Sequence, residues 1–199
     1  MFSTIRNRSL GAAAALLLCT VCTVAAPAAA QQTGIAPAGQ RVLSPRDTAR
    51  LELGAGKHVF IDYGRPSMRG RRIMGDLVPF GRVWRTGANA ATTLVTDVDL
   101  LIGDARVPRG TYTLYTLPSA GEWKLIVNRQ TGQWGTQYVP ERDLVRIPLR
   151  KEATRAPVER FTIALEPGRG TSHMLALTWE NTRLFVPLRV APAAPARGR

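Results

Sequence analysis

Between residues 43 and 190 the chain never sustains an apolar period of 3.6 residues over more than two helical turns. It runs instead in short β-branched and aromatic stretches, broken by Gly or Pro about every ten residues. Such a chain cannot bury a helix stripe. It must pair strands, and the spacing predicts an all-β fold, an antiparallel β-sandwich of about ten strands. The runs are 48–53, 57–63, 92–96, 98–102, 111–117, 122–128, 143–149, 160–165, 173–179 and 182–188. Gly54-Ala55-Gly56 and Pro118 to Gly121 read as hairpin turns. Trp123, Leu125 and Val127 share one strand face, as do Phe161, Ile163 and Leu165. Pro187 predicts that the last run is an edge strand. Helix is confined to short pieces within 75–81 or 140–143.

The remaining segments frame this domain. Arg6 and Arg8, the uncharged run 10–26 and Ala28-Ala29-Ala30 form the three parts of a secretory signal, so 1–30 is expected to be cleaved and the mature protein exported, periplasmic or extracellular. Residues 31–42 read as a linker, 43–190 as one domain, and 191–199 (APAAPARGR) as a disordered tail. Both cysteines, Cys19 and Cys22, lie in the signal, which removes thiol nucleophiles, disulfides and Cys-based metal sites from the mature chain. After cleavage no transmembrane segment is expected, and the chain is expected to be a monomer. No metal or cofactor is implied.

Charge is the next constraint. The formal net charge is +13, and only Lys57, Lys124 and Lys151 among the 27 basic residues are lysines. Such a surface favours anionic partners, a small molecule or a polysaccharide. Export, and the lack of a recognisable binding motif, argue against specific nucleic-acid recognition. Six of the arginines fall within residues 64–92 (GRPSMRGRRIMGDLVPFGRVWRTGANAAT), which join two predicted strands and hold one carboxylate, Asp76. A connection of this length inside a compact domain is usually functional or disordered. Ile73, Leu77, Val78, Phe80 and Trp84 give it apolar anchors, and its glycines and prolines shape it, so it reads as a long ordered Arg/Gly-rich connection. Arg65, Arg71, Arg82 and Arg85, with Asn89, are the candidate anion site, because guanidinium groups capture carboxylate or phosphate in bidentate fashion. The competing reading is structural. Arginine has five donors and can satisfy the carbonyls a long loop leaves unpaired, with Asp76 and Trp84 as loop anchors.

The stretch YGRPS at 63–67, GR at 70–71, GDLVP at 75–79, VWRTGAN at 83–89 and AT at 91–92 resembles a family of exported bacterial proteins, domain of unknown function 2911. The likeness continues through VP at 107–108, GTY at 110–112, EW at 122–123, QWG at 133–135 and WENT at 179–182. The resemblance implies an exported, single-domain, β-rich protein and carries no activity with it.

No residue pattern identifies a catalytic group. His58 and His173 are the only histidines, and Asp62 lies about 13 Å beyond His58 along an extended strand. Asp97, Asp99 and Asp104 lack the spacing of a calcium loop, and Ser67, Ser119 and Ser172 lack a nucleophile-elbow context. Three readings follow: a non-catalytic binding or envelope-associated module with an arginine-rich anion site, a periplasmic hydrolase using Asp76, His58 or Glu180, and a purely structural envelope protein. The signal reading is tested by intact mass. Protein recovered from the periplasm or medium should begin at Gln31, and a mass retaining 1–30 overturns it.

Overall fold

The computed structural model describes residues 44–192; the expected signal, the linker and most of the tail lie outside the described residues. Nine strands follow in order: β1 (Arg46–Glu52), β2 (His58–Gly64), β3 (Thr92–Thr96), β4 (Leu100–Ile102), β5 (Ala105–Val107), β6 (Gly110–Leu117), β7 (Trp123–Asn128), β8 (Asp143–Pro167) and β9 (His173–Val190). A single 3₁₀ turn, Pro140–Arg142, precedes β8. The segment 75–81 is turn with an isolated bridge at Val78, not helix, since Gly75 and Gly81 both take positive φ. The fold is all-β. One hydrogen-bonded ladder runs β1-β2-β3-β6-β7-β8-β9-β4-β5, and every pairing is antiparallel.

Two strands are much longer than their sequence runs. β8 absorbs 143–149 and 160–165, and β9 absorbs 173–179 and 182–188. The segments between them do not break the strands, because they are accommodated as bulges. The β8–β9 register shifts between Ala153 and Val158 and again before Thr162, and Glu180 opposite takes φ 51°.

Proline decides where this pair ends. The β8–β9 ladder stops at Arg150↔Phe185, and two residues further on its register would set Pro148 against Pro187. Neither can donate a ladder hydrogen bond. The strands therefore fork. β8 continues against β7 (Leu149↔Trp123 to Asp143↔Asn128), while β9 continues against β4 (Leu188↔Ile102 to Val190↔Leu100). The expectation of an edge strand at Pro187 is corrected: β9 lies between β8 and β4, and Pro187 sits at the point where it changes partner.

A single core joins both parts of the ladder. Its largest fully buried side chains include Trp123, Trp179, Tyr63 and Phe161. Tyr63 on β2 meets Phe161 on β8 edge-to-face at 5.7 Å, and its hydroxyl accepts from the Ile163 N–H at 3.1 Å. On the other face of β6 and β7, residues 129–142 form a cover. There Tyr138 packs edge-on against Tyr115 at 4.9 Å, and the Tyr115 hydroxyl donates to the Gln137 carbonyl.

All four tyrosines, Tyr63, Tyr112, Tyr115 and Tyr138, have phenol pKa values raised, chiefly by burial. Tyr138 is pushed up to about 12, by burial and then by its hydrogen bond to the Asp143 carboxylate. The folded state therefore holds these protons more tightly than the unfolded chain. Stability should be undiminished below the ordinary tyrosine pKa of about 10 and fall as pH rises above it. Phenolate absorbance and far-ultraviolet circular dichroism should change together above pH ~10; phenolate appearing at its ordinary pKa with the β signal intact would contradict this.

Candidate functional site

The 64–92 connection is an ordered layer laid on β8 and β9, and its first part repairs an exposed edge. At the second β8 bulge the segment 66–68 supplies pairing: the Met68 N–H donates to the Glu159 carbonyl at 2.8 Å, and the Phe161 N–H to the Pro66 carbonyl at 2.9 Å. Arg65 then clamps the same place. Its Nε donates to the Phe161 carbonyl at 3.2 Å and Nη2 to Thr162 Oγ1 at 3.0 Å, while Nη1 pairs with Asp47 at 3.1 Å. Arg71 folds back on its own loop, donating to the Met68 and Ser67 carbonyls at 2.9 and 2.8 Å.

The middle of the connection is held by a residue that the sequence marked only as an acid–base candidate. The Glu180 carboxylate accepts both the Ile73 and the Met74 N–H, each at 3.1 Å. Its left-handed φ breaks the alternation of β9 locally and so aims the side chain at the connection. Trp84 fastens the far end. Its backbone pairs with Thr116 in both directions, at 2.8 and 2.9 Å, and its ring stacks on Trp179 at 5.8 Å and meets Phe161 edge-on at 5.0 Å. The chain closes tightly against β2, where a Cβ on Gly64 would collide with the Ala88 carbonyl oxygen. Only glycine fits there.

The five candidate anion residues do not converge. Arg65 and Arg71 are engaged as described. Arg82 is exposed, without an ion pair or hydrogen bond among the described residues, and Asp76 is likewise exposed and unpaired. Asn89, at φ 65°, donates to the Ser44 carbonyl at 3.3 Å.

Arg85 stands apart. It precedes Thr86, a fully buried β-branched residue at φ 52°, a conformation such residues rarely adopt. The kink is held from two sides: the Thr86 hydroxyl donates to Thr116 Oγ1 at 3.2 Å, and the Thr92 hydroxyl donates to the Thr86 carbonyl at 2.8 Å. The Arg85 side chain lies along Gly135, where a Cβ would stand 2.5 Å from its Cδ. Gly135 is fixed in turn by its N–H to the Asn89 carbonyl at 3.0 Å, and the Ala91 N–H donates to the Gln133 carbonyl at 3.3 Å.

Two buried polar atoms in this neighbourhood have no hydrogen-bond partner: Arg85 Nε, a donor, and Gln133 Oε1, an acceptor. The amide nitrogen of Gln133 is already committed to Thr113 Oγ1 and to the Tyr115 hydroxyl, each at 3.1 Å. Trp134, between Gln133 and Gly135, is 53% exposed. Gln133 and Gly135 were missed as site residues: only the QWG motif of the resemblance touches them, and nothing in their spacing ties 133–135 to Arg85. Glu180 was named as an acid–base candidate, and its role as acceptor for the Ile73 and Met74 amides has no mark in the spacing.

Residues 44–188 match the family described as protein of unknown function (DUF2911). The chain belongs to this family. No curated protein and no solved structure matches the chain. The DUF2911 stretch therefore contains both the clamped connection and the Arg85 neighbourhood.

The acid–base candidates of the DUF2911 domain are dispersed. His58 Nδ1 lies 2.8 Å from the Asp97 carboxylate at the start of β2, about 17 Å along that strand from Tyr63, which packs beside the connection. Glu180 is occupied by two amides. Nδ1 of His173 is buried without a partner at the opposite end of β9 from the fork. Among the described residues no three His, Cys, Asp or Glu side chains gather as metal ligands, and no helix is long and apolar enough to cross a membrane.

Glu180→Gln should replace one of two charged acceptors by an amide nitrogen that cannot accept. Loss of about 1–3 kcal/mol is expected for an amide left unpaired, a Tm fall of about 3–10 °C in a domain of this size. Arg65→Lys should act in the same direction. Thermal denaturation checks both, and an unchanged Tm in either would refute its part in clamping the connection.

Proposed function

We propose that this protein is an exported, non-catalytic binding module for an anionic small molecule or acidic polysaccharide, with Arg85 as the recognition residue. The observation that carries the reading is the buried Arg85 Nε without an acceptor, its side chain lying against Gly135, in a connection where Arg65 and Arg71 are committed to carbonyls and Arg82 is exposed. A donor left open in this way costs folding free energy of about 1–3 kcal/mol, and a strained Thr86 costs about as much again. Both costs fall beside one another. Such concentrations of unfavourable terms mark binding sites rather than scaffolding.

The chemistry of the opening is specific. Arg85 offers a charged donor and Gln133 Oε1 an acceptor, so a ligand that presents an anionic oxygen next to a hydroxyl satisfies both. Hydroxy acids and uronic-acid sugars have that arrangement. The structural reading retains Arg65 and Arg71, whose guanidinium groups serve the connection itself. The export signal supports an envelope or extracellular setting, where acidic polysaccharides are met.

Arg85→Lys keeps the charge and removes the planar fork. With glucuronate and polygalacturonate as probes in calorimetry, the substitution should weaken binding by roughly tenfold or more, as loss of a charge-assisted bidentate contact implies. Tm should change by no more than about 2 °C, since no protein hydrogen bond is lost. A fall in Tm of several degrees with no binding by either protein would assign Arg85 to the fold and end this reading.

A further inference from the structure

A second site lies at the fork between β8 and β9, away from the Arg85 neighbourhood and independent of it. Where the two strands part, they leave an open groove of about 600 Å³. Its floor is apolar, formed by Ile147, Leu149 and Val186 of the core, with Gly103 of the β4–β5 turn drawn in by its N–H to the Pro187 carbonyl at 2.7 Å. Gly103 has no side chain to fill the space, and a Cβ there would stand 3.2 Å from Ile147 Cγ2 and 3.4 Å from Val186 Cγ2.

The outward residues of the two strands form three rows if the β8–β9 register is carried past its last pair. Arg150 stands opposite Phe185, Pro148 opposite Pro187, and Arg146 opposite Arg189. The middle row lacks donors, so the ladder cannot close there and the fork stays open. Arg146 is neutralised by Asp143 at 2.8 Å. Arg150 and Arg189 are exposed and have no ion pair among the described residues. Two carboxylates also line the groove. Glu122 is drawn to Lys124 at 3.7 Å, and Asp104 lies on the turn at the groove's margin.

We propose that this groove binds an elongated organic anion: an apolar body over Phe185, Pro148 and Pro187, with a carboxylate, sulfonate or phosphate head held by Arg150 or Arg189. Volume, apolar floor and a few charged groups are what a small-molecule site requires. A bare inorganic anion would leave the apolar floor wet, and a neutral apolar body would leave two guanidinium groups uncompensated.

The probe is 8-anilinonaphthalene-1-sulfonate, followed by fluorescence with the folded full chain. The dye should bind with enhanced, blue-shifted emission. Decanoate should displace it, while acetate and inorganic phosphate at equal concentration should not. The double variant Arg150→Gln/Arg189→Gln should weaken dye binding at least tenfold, and Arg150→Lys/Arg189→Lys should stay within about threefold of the parent. Circular dichroism and Tm should be unchanged in both, since these side chains make no contact the fold uses. Dye binding that is absent, equal in the Gln variant, or displaced by phosphate alone would overturn the proposal, as would dye binding that appears only when Tm has fallen.

Discussion

A strand of 25 residues, β8, has more backbone donors and acceptors than any one neighbour can satisfy. The architecture follows from how they are met. Residues 143–149 are served by β7 and residues from 150 onward by β9, so one strand carries the ladder from its first part into its second. At the bulge around Arg160 neither neighbour suffices, and residues 66–68 of the long connection take over. That exposed edge would otherwise be a template for pairing with another chain. Covering it makes the connection part of the fold.

The concentration of arginine in that connection is explained largely by the same demand. A segment without ladder partners must find donors for its own carbonyls and for those of the edge it covers, and a guanidinium supplies several from one side chain. Arg65 serves Phe161 and Thr162 while pairing with Asp47, and Arg71 serves Met68 and Ser67. Glu180 does the complementary work for amides. These partners are neutral backbone groups or a partly exposed carboxylate, so their value lies in avoiding buried unpaired groups more than in charge attraction. Arg85 departs from this logic, and it does so next to the one strained β-branched residue of the connection.

Much of this was legible in the chain. Period-two alternation placed Trp123, Leu125 and Val127 on a buried face, and all three are fully buried. The hairpin turns at 54–56 and 118–121 stand where Gly and Pro put them. Pro187 was read as marking an edge strand, whereas β9 lies between β8 and β4: a proline's missing donor is local, and its position in the sheet depends on Pro148, some forty residues away. The long strands were read as separate runs because polar residues such as Arg155 and Glu159 interrupt the alternation at bulges. Polarity there reflects exposure of the outward face, and bulges leave no consistent sequence mark.

What the sequence alone determined is the class of structure and the material of the connection: strands of period two, apolar anchors, and arginines in excess of acids. These are properties of residue type and spacing along the chain. Tertiary structure alone decided which arginines are consumed and which are open, that Glu180 rather than Asp76 receives the connection, and that Gly135 lies beneath Arg85. Each of those depends on groups far apart in sequence meeting at hydrogen-bond range. A guanidinium has the same composition whether it meets a carbonyl or nothing, so its role is a matter of what the fold brings within about 3 Å of it.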